Sequence, residues 1–331
     1  HHQDAGLLPR ALAAILERIN ATASTTSAVL TASAVEFYMH TCVDLLGASD
    51  GAPCLIGADH TPLGLTRQNI ESEQNCLSFM GQVRHRRHTR ATLMNAAKGA
   101  HEGSSRSHCA MILTLRQLDR ASGDVLTTAL HIIDMAGAER PSKVESTQLA
   151  MWDAEDGNEP SIASQGMIIN FELSQLRTAV VQATEQHQKG LPLINPKAAG
   201  TEFIEYTKGC FDGSSLLSMI VTLSPARSCG WETWFSCTYG EDLQKLRCPV
   251  QPQKARSLSK LIVETERSIQ RATQDLETRE DVATKAGHRD RVTRHLNRRS
   301  AQLQHDKDSL EELRRLAALG ERGKTSTNDG A

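Results

Sequence analysis

A chain of 331 residues with 39% hydrophobic content is long enough for one large domain or two small ones, each with a packed core. Its formal charge of −2 sets up no overall basic field of the kind that gathers nucleic acid. No apolar run approaches the roughly 18 residues that a membrane-spanning helix requires, and the first residues lack the basic start and apolar centre of a secretory signal. Neither nucleic acid nor membrane is therefore expected as a partner. The charge is unevenly divided: Gln251 onward holds 17 Lys/Arg against 13 Asp/Glu, which leaves 20 against 26 before it. Eight cysteines without C-x-x-C pairs predict reduced thiols in a cytosolic protein, not a disulfide framework or a zinc site.

Along the chain, "LLPRALAAILERI" (Leu7 to Ile19) repeats apolar residues at helical spacing, with Pro9 tolerated in the first turn. "SAVLTASAVEFYMHTCVDLL" predicts a strand and then a short helical or irregular segment ending at Leu46. "SDGAPCLIGADHTPLGL" is loop with short strand fragments. "SEQNCLSFMGQVRHRRHTRATLMN" predicts a helix ending in a basic cluster, and "RHRRHTR" (Arg84 to Arg90) reads as a solvated helix end. Three strands are then expected, "CAMILTLRQL", "VLTTALHIID" and "SLLSMIVTLSP", whose near-continuous apolar character suits a sheet buried on both faces. Between the last two lie a long polar loop and a helix, "MIINFELSQLRTAVVQATEQ". A further helix, "WETWFSCTYGEDLQKL", carries Trp231, Trp234 and Phe235 at core spacing.

"PVQPQ" is a hinge composition. From Leu258 to Leu319 no proline occurs and only Gly287 interrupts. Leu296, Leu303, Leu310 and Ala317 recur every seven residues with Leu313 in a partner position, and Ile262, Ile269, Ala272 and Leu276 form an earlier register out of phase with them. The pattern predicts an α-helical coiled-coil stalk with self-association through it, a solvated single helix being the alternative. The expected divisions are a head over 1–248, a linker over 249–257, the stalk over 258–319 and a disordered tail over 320–331.

Two stretches carry chemistry. In "EGSSRSHCAMILTL" (Glu102 to Leu115) hydroxyls, an arginine and a histidine lie side by side where a loop meets a strand, as a phosphate contact requires. In "LHIIDMAGAER" (Leu130 to Arg140) a strand ends in Asp134, and Gly137 and Glu139 follow. A carboxylate at such a strand end holds Mg²⁺ in P-loop NTPases, and a glycine three residues on lets a backbone N–H approach a γ-phosphate. Ser104 and Ser105 offer a hydroxyl to Mg²⁺ and a donor to the phosphate. Arg106 and Glu139 would join the two loops when nucleotide is bound, as in loops that order around a γ-phosphate.

"GSSRSH" followed by a strand and then "DMAGAER" resembles switch I (N-x-x-S-S-R-S-H) and switch II (D-L-A-G-x-E) of the kinesin motor domain. "GLLPRAL", "AVEFYMHTCVDLL", "RHTRATLMN", "INFELSQL" and "MIVTLSPA" resemble neighbouring segments of that family in order, from about Gly6 to Leu246. The resemblance implies an α/β, P-loop NTPase-like motor sheet flanked by helices. It also implies ATP or ADP with Mg²⁺ as cofactor, microtubules as partner, and a cytoplasmic place on the cytoskeleton. Its site residues are Ser104, Ser105, Asp134 and Asn95 around the nucleotide, Ser105 and Asp134 for Mg²⁺, and Arg106, Gly137 and Glu139 for catalysis. Lys189 and Lys197 are its candidate contacts to acidic tubulin.

The sequence departs from the family at several points. G-x-x-x-x-G-K-[ST] does not occur, and the one "GKT" (Gly323 to Thr325) follows a charged helix with Ala318 at the first glycine position. The chain alone is therefore expected to be inactive as an ATPase, and partial at its front. Eight residues separate Asn95 from Ser104 where the family has two, Ala138 replaces a serine, and "LPLINPKAAGTEFIEY" stands where "PYRDSKLT" is usual. A non-catalytic kinesin-related protein, binding microtubules or a partner through head and coiled coil, is the alternative. Nothing resembles the N-K-x-D motif of a GTPase.

Overall fold

Strands that are apolar at almost every position need cover on both faces, and the architecture supplies it. The computed structural model describes residues 6–38, 41–47, 54–96, 107–137, 162–191, 200–211, 213–247, 250–283 and 289–328. In chain order its elements are α1 (Leu7–Ala21), β1 (Thr26–Tyr38), β2 (Thr41–Asp44), β3 (Leu55–Ile56), β4 (Pro62–Leu63), β5 (Gln68–Asn69), α2 (Glu73–Ala96), β6 (His108–Asp119), β7 (Asp124–Asp134), α3 (Ile162–Gln188), α4 (Glu202–Thr207), α5 (Gly230–Gln244), β8 (Arg256–Ser257), α6 (Leu258–Ala283) and α7 (Arg289–Asn328). The main sheet runs β2-β1-β6-β7-β8 with β5 also on β1, every pair antiparallel, and β3 pairs with β4 apart from it.

The pairing of β1 with β6 sets the two faces. Leu30, Ala32 and Ala34 of β1, with Cys109 and Leu113 of β6, pack under α1 and α2 through Leu8, Leu12, Cys76, Phe79 and Val83. In α1 the apolar residues Leu8, Leu12, Ile15, Leu16 and Ile19 form the single stripe that helical spacing places on one side. Val35, Phe37, Ala110 and Ile112 face the other way, against Leu176, Ala179 and Val180 of α3 and Phe203, Ile204 and Tyr206 of α4. Phe37 lies edge-on to Phe203 and stacks on Tyr206. The turn between β6 and β7 is fixed by Asp119, whose Oδ1 accepts from the N–H groups of Ala121 and Ser122, and by Gly123 at φ +74.

Four expectations take a different form. Residues 216–226 form no strand; Leu216 and Ile220 stand 87% and 75% exposed, because no described strand pairs with the segment. Trp231 and Trp234 are half-exposed and lie against each other, since α5 turns Phe235, Tyr239 and Leu243 to the core instead. Cys42 and Cys54 form a disulfide rather than remaining reduced: the Cys54 N–H donates to the Cys42 carbonyl, which sets the two side by side. The segment after Cys42, left as helical or irregular, lies in β2, paired back on β1.

The expected stalk is the largest difference. Ser268 meets Asp306, Glu266 meets Arg314 and Asp275 meets Arg299, so α6 and α7 run antiparallel as a hairpin. The hairpin folds back onto the α3–α4 side of the sheet, where Leu316 is buried with Val29, Leu118 and Val125, and Leu258 and Leu261 pack around them. The linker itself enters the sheet as β8, and α7 runs on to Asn328.

His305 of α7 accepts from Arg67 Nη2 at 2.9 Å, as it must, a guanidinium having only donors. Burial first, and then the charge of Arg67, push its pKa down to about 4, with Arg116 adding to this and Asp306 and Asp59 opposing it. Its unfolded value is near 6.5. A group that titrates lower when folded gives stability that is fully present above about pH 6.5 and lost as pH falls towards 4. Urea unfolding at pH 7 and pH 5 is expected to show a smaller loss for His305→Asn than for the unaltered chain, whereas equal losses would contradict this role.

Candidate functional site

The switch-like motifs converge where β6 begins and β7 ends. Register places His108 opposite Phe37 and Cys109 opposite Asp134, so both motifs meet at one end of the sheet. Ser107 Oγ donates to Glu36 Oε1 at 2.8 Å, and Arg87 of α2 donates from Nη2 to the Ser107 carbonyl at 2.9 Å. The same guanidinium donates from Nη1 to Asp134 Oδ2 at 2.5 Å. Arg87 thus holds the last described residues of one motif to the first of the other. Burial pulls the pKa of Arg87 down, but the hydrogen bond to Asp134 and the neighbouring Cys109, Asp134 and Glu36 more than restore it, so the guanidinium stays charged. Burial above all pushes the Cys109 thiol up to about 12, which makes it an inert core group.

A second joint lies beneath. The Ala136 N–H donates to His108 Nδ1 at 3.1 Å, so in the neutral ring Nε2 carries the proton. Nε2 faces Glu172 Oε2 of α3 at 3.4 Å, and both side chains are almost fully buried. Phe203 stacks flat on the imidazole with centroids 3.8 Å apart. Neither His108 Nε2 nor Glu172 Oε1 has a hydrogen-bond partner among the described residues, so the two side chains face each other in close approach without a formed hydrogen bond. A polar pair enclosed in this way is costly to expose, and it links Ala136 to α3 through His108 and Glu172. His108 is thus a buried histidine packed between the sheet, α3 and Phe203.

Of the expected site residues, Asp134 and Gly137 stand beside this joint. Gly137 is exposed, and among the described residues nothing lies within 4 Å of where a Cβ would stand. Asn95 falls near the end of α2. Lys189 follows α3, solvent-facing, with Glu185 at 3.7 Å. Ser104, Ser105, Arg106, Glu139 and Lys197 lie outside the described residues. Sequence reasoning missed Arg87, taken as part of a solvated basic helix end, and Glu172, hidden in "INFELSQL". The signal for Arg87 was the need of Asp134 for a partner.

The motor-domain geometry is matched from outside the chain. The kinesin motor-domain profile covers residues 1–246. The chain belongs to the kinesin motor-domain family. Kinesin-like protein KIN-8B of Arabidopsis thaliana is 26% identical over 251 residues, 75% of this chain and 28% of that protein. Kinesin-like protein 3 of Schizosaccharomyces pombe is 26% identical over 246 residues, 73% of this chain and 40% of that protein. The chain thus spans less than half the length of these kinesins. Among solved structures, that of a fast kinesin superposes with a TM-score of 0.56 at 20% identity, over 77% of this chain and 67% of that one. A KIF14 dimer bound with AMP-PNP to a microtubule gives 0.58 at 23% identity, over 74% and 66%. At these identities the likeness concerns the fold.

Kinesin motors as a family bind nucleotide with Mg²⁺. The described residues offer such a ligand one carboxylate, already held by Arg87, and the exposed Gly137 beside it. That donor set is too small to hold a magnesium nucleotide, for which a P-loop and a hydroxyl ligand are also needed. Among the described residues no three His, Cys, Asp or Glu side chains gather as a metal site.

Arg87→Ala removes the shared partner of Asp134 and the Ser107 carbonyl. It is expected to cost about 1–3 kcal/mol in urea unfolding, and Arg87→Lys is expected to recover only part of this, because an ammonium does not span both acceptors as the fork does. A loss below about 0.5 kcal/mol, the range of neutral surface changes, would contradict the bridging role.

Proposed function

We propose that this chain is the switch-bearing, filament-facing part of a kinesin-like microtubule motor, which couples ATP binding and hydrolysis to movement. The observation that carries the proposal is the His108 joint, which ties the N–H of Ala136, beside Asp134 and Gly137, to Glu172 on α3. In this reading Ser104 and Ser105 meet the nucleotide, Ser105 and Asp134 face Mg²⁺, and the Gly137 N–H faces the γ-phosphate. Arg106 and Glu139 close the two loops over it. A shift of Gly137 moves Ala136, the buried joint passes that shift to α3, and α3 presents it to the filament with Lys189 and Lys197 near acidic tubulin. The G-x-x-x-x-G-K-[ST] cradle is not among these 331 residues, so hydrolysis belongs to a head that includes one.

A second reading is favoured by the ion pair of Arg87 with Asp134, which occupies the carboxylate without nucleotide. There the chain binds microtubules, or another kinesin subunit, irrespective of nucleotide. Co-pelleting with stabilised microtubules in AMP-PNP and in ADP, carried out on a head in which a kinesin G-x-x-x-x-G-K-[ST] segment is joined ahead of these 331 residues, separates the two. The motor reading predicts apparent Kd values that differ by about tenfold or more, roughly 1.4 kcal/mol of coupling. Equal, measurable binding would overturn it in favour of the second reading, and no pelleting under either condition would contradict the motor reading and leave only the subunit-binding form of the second.

A further inference from the structure

One part of the chain is fastened to the sheet by a bond that can be undone. Residues 54–66 form a strap, the β3–β4 hairpin with both of its ends tied to β2. At the far end the Thr66 N–H donates to Asp44 Oδ2 at 2.9 Å. At the near end the Cys54 N–H donates to the Cys42 carbonyl at 2.9 Å, and the Cys42–Cys54 disulfide adds a covalent bond across a separation of 12 residues. Between these ends the strap grips α4. The Ile56 N–H donates to the Glu202 carboxylate, and His60 Nδ1 donates to the Glu205 carbonyl at 2.8 Å, a carbonyl being able only to accept. Gly209 lets His60 come close, since a Cβ there would stand 3.2 Å from that of His60. Cys42, Cys54, Ile56 and Leu65 share one buried cluster with Phe203, Ile204 and Tyr206 of α4.

The helix held in this way supports the His108 joint: it lays Phe203 on the imidazole and sets Tyr206 against His131 Nδ1 at 2.5 Å. Cys42 also stands opposite Phe37 in the register of β2 on β1, and Phe37 packs on the rings of both Phe203 and Tyr206. Kinesin motors as a family are cytoskeletal. The compartment of the cytoskeleton keeps thiols reduced, and disulfides formed there are as a rule transient. We propose that Cys42 and Cys54 are a site of reversible oxidation, which reacts with low-molecular-weight disulfides of the glutathione type and sets how firmly the strap holds α4. One cysteine thiolate attacks a sulfur of glutathione disulfide, which forms a mixed disulfide and releases one glutathione thiolate. The other cysteine thiolate then attacks the protein sulfur of that mixed disulfide, closes Cys42–Cys54 and releases the second glutathione. Two electrons pass from the cysteine pair to glutathione disulfide, and the two thiol protons leave with the two glutathione thiols. Reduction retraces the same path. Both cysteines are buried, so exchange proceeds through opening of the two-residue strands β3 and β4. In the reduced chain the near end of the strap keeps its backbone hydrogen bond and loses its covalent hold. The site works whether or not the chain binds nucleotide or filament.

The test equilibrates the full 331-residue chain in glutathione buffers that run from the reduced poise of the cytosol to the oxidised poise of the secretory pathway. Peptide mass spectrometry after acid quenching reads the linked Cys42–Cys54 pair, and hydrogen exchange reads the amides of α4. The pair is expected to be open in the most reducing buffer and closed in the most oxidising one. The α4 amides are expected to exchange roughly tenfold or more slowly in the oxidised chain, a fraction of the effect that a cross-link of this length has on global unfolding. Cys54→Ala is expected to abolish this dependence on the buffer, which separates the strap from the exposed thiol of Cys237. The two redox states of the unaltered chain give the comparison even where that variant folds poorly. A pair that forms in none of the buffers would overturn the proposal, as would one that stays closed at the reduced extreme. So would α4 exchange that is equal in the two states, or that keeps its redox dependence in Cys54→Ala.

Discussion

Everything at the functional end of the molecule depends on the register of β1 against β6, from Thr26 opposite Asp119 to Phe37 opposite His108. Side chains alternate between faces along a strand, so a slip of one residue would turn His108 away from Glu172 and Phe203 and bring Cys109 in its place. The register is held because both faces are buried and differently filled. Small residues, Ala32 and Ala34, lie under α1 and α2, while Val35 and Phe37 fill the space beneath α3 and α4. The same ladder presents Arg116 to the hairpin on the α3 side, two strand positions before Leu118. One pairing thus positions Asp134 and Gly137, the helix α3 and the seat of α7.

Much of this fold was legible in the sequence. The continuous apolar run of β6 and the helical stripe of α1 report burial directly, whereas in β7 Val125 alone is fully buried and Leu130 stands exposed. The run over residues 216–226 carries the same signal and yet pairs with no described strand, because apolar character specifies a need for cover and not the neighbour that meets it. The stripe along α7 misled for a related reason. A seven-residue repeat states that Leu310 and Leu313 are to be buried, and both are buried within one chain, in a hairpin that packs on its own sheet. The Cys42–Cys54 pair depends on how β2 and the segment before β3 are brought together, which no spacing rule discloses.

At the candidate site the motifs marked the right end of the sheet, and Asp134 and Gly137 lie there as expected. What they did not disclose is how the chain connects those residues to the rest. Arg87 is set by the path of α2, and Glu172 by the angle at which α3 crosses the sheet, so both links are tertiary. Two unlike joints result. Arg87 ties the two motifs at a partly exposed ion pair, where water weakens the attraction. His108 ties them to α3 inside the core, where an unsatisfied charge is far more costly. The buried joint is the one that reaches α3, through the approach of His108 to Glu172 with Phe203 stacked on the ring.

That claim is tested most directly by a double-mutant cycle of His108→Ala and Glu172→Gln, with stability read by urea unfolding of the 331-residue chain. Coupling between the two side chains predicts an interaction energy of about 0.5–3 kcal/mol, the double variant losing less than the sum of the single ones. Losses that add to within about 0.3–0.5 kcal/mol would mean that the two residues are merely neighbours, and that α3 does not receive the motion of Ala136 through them.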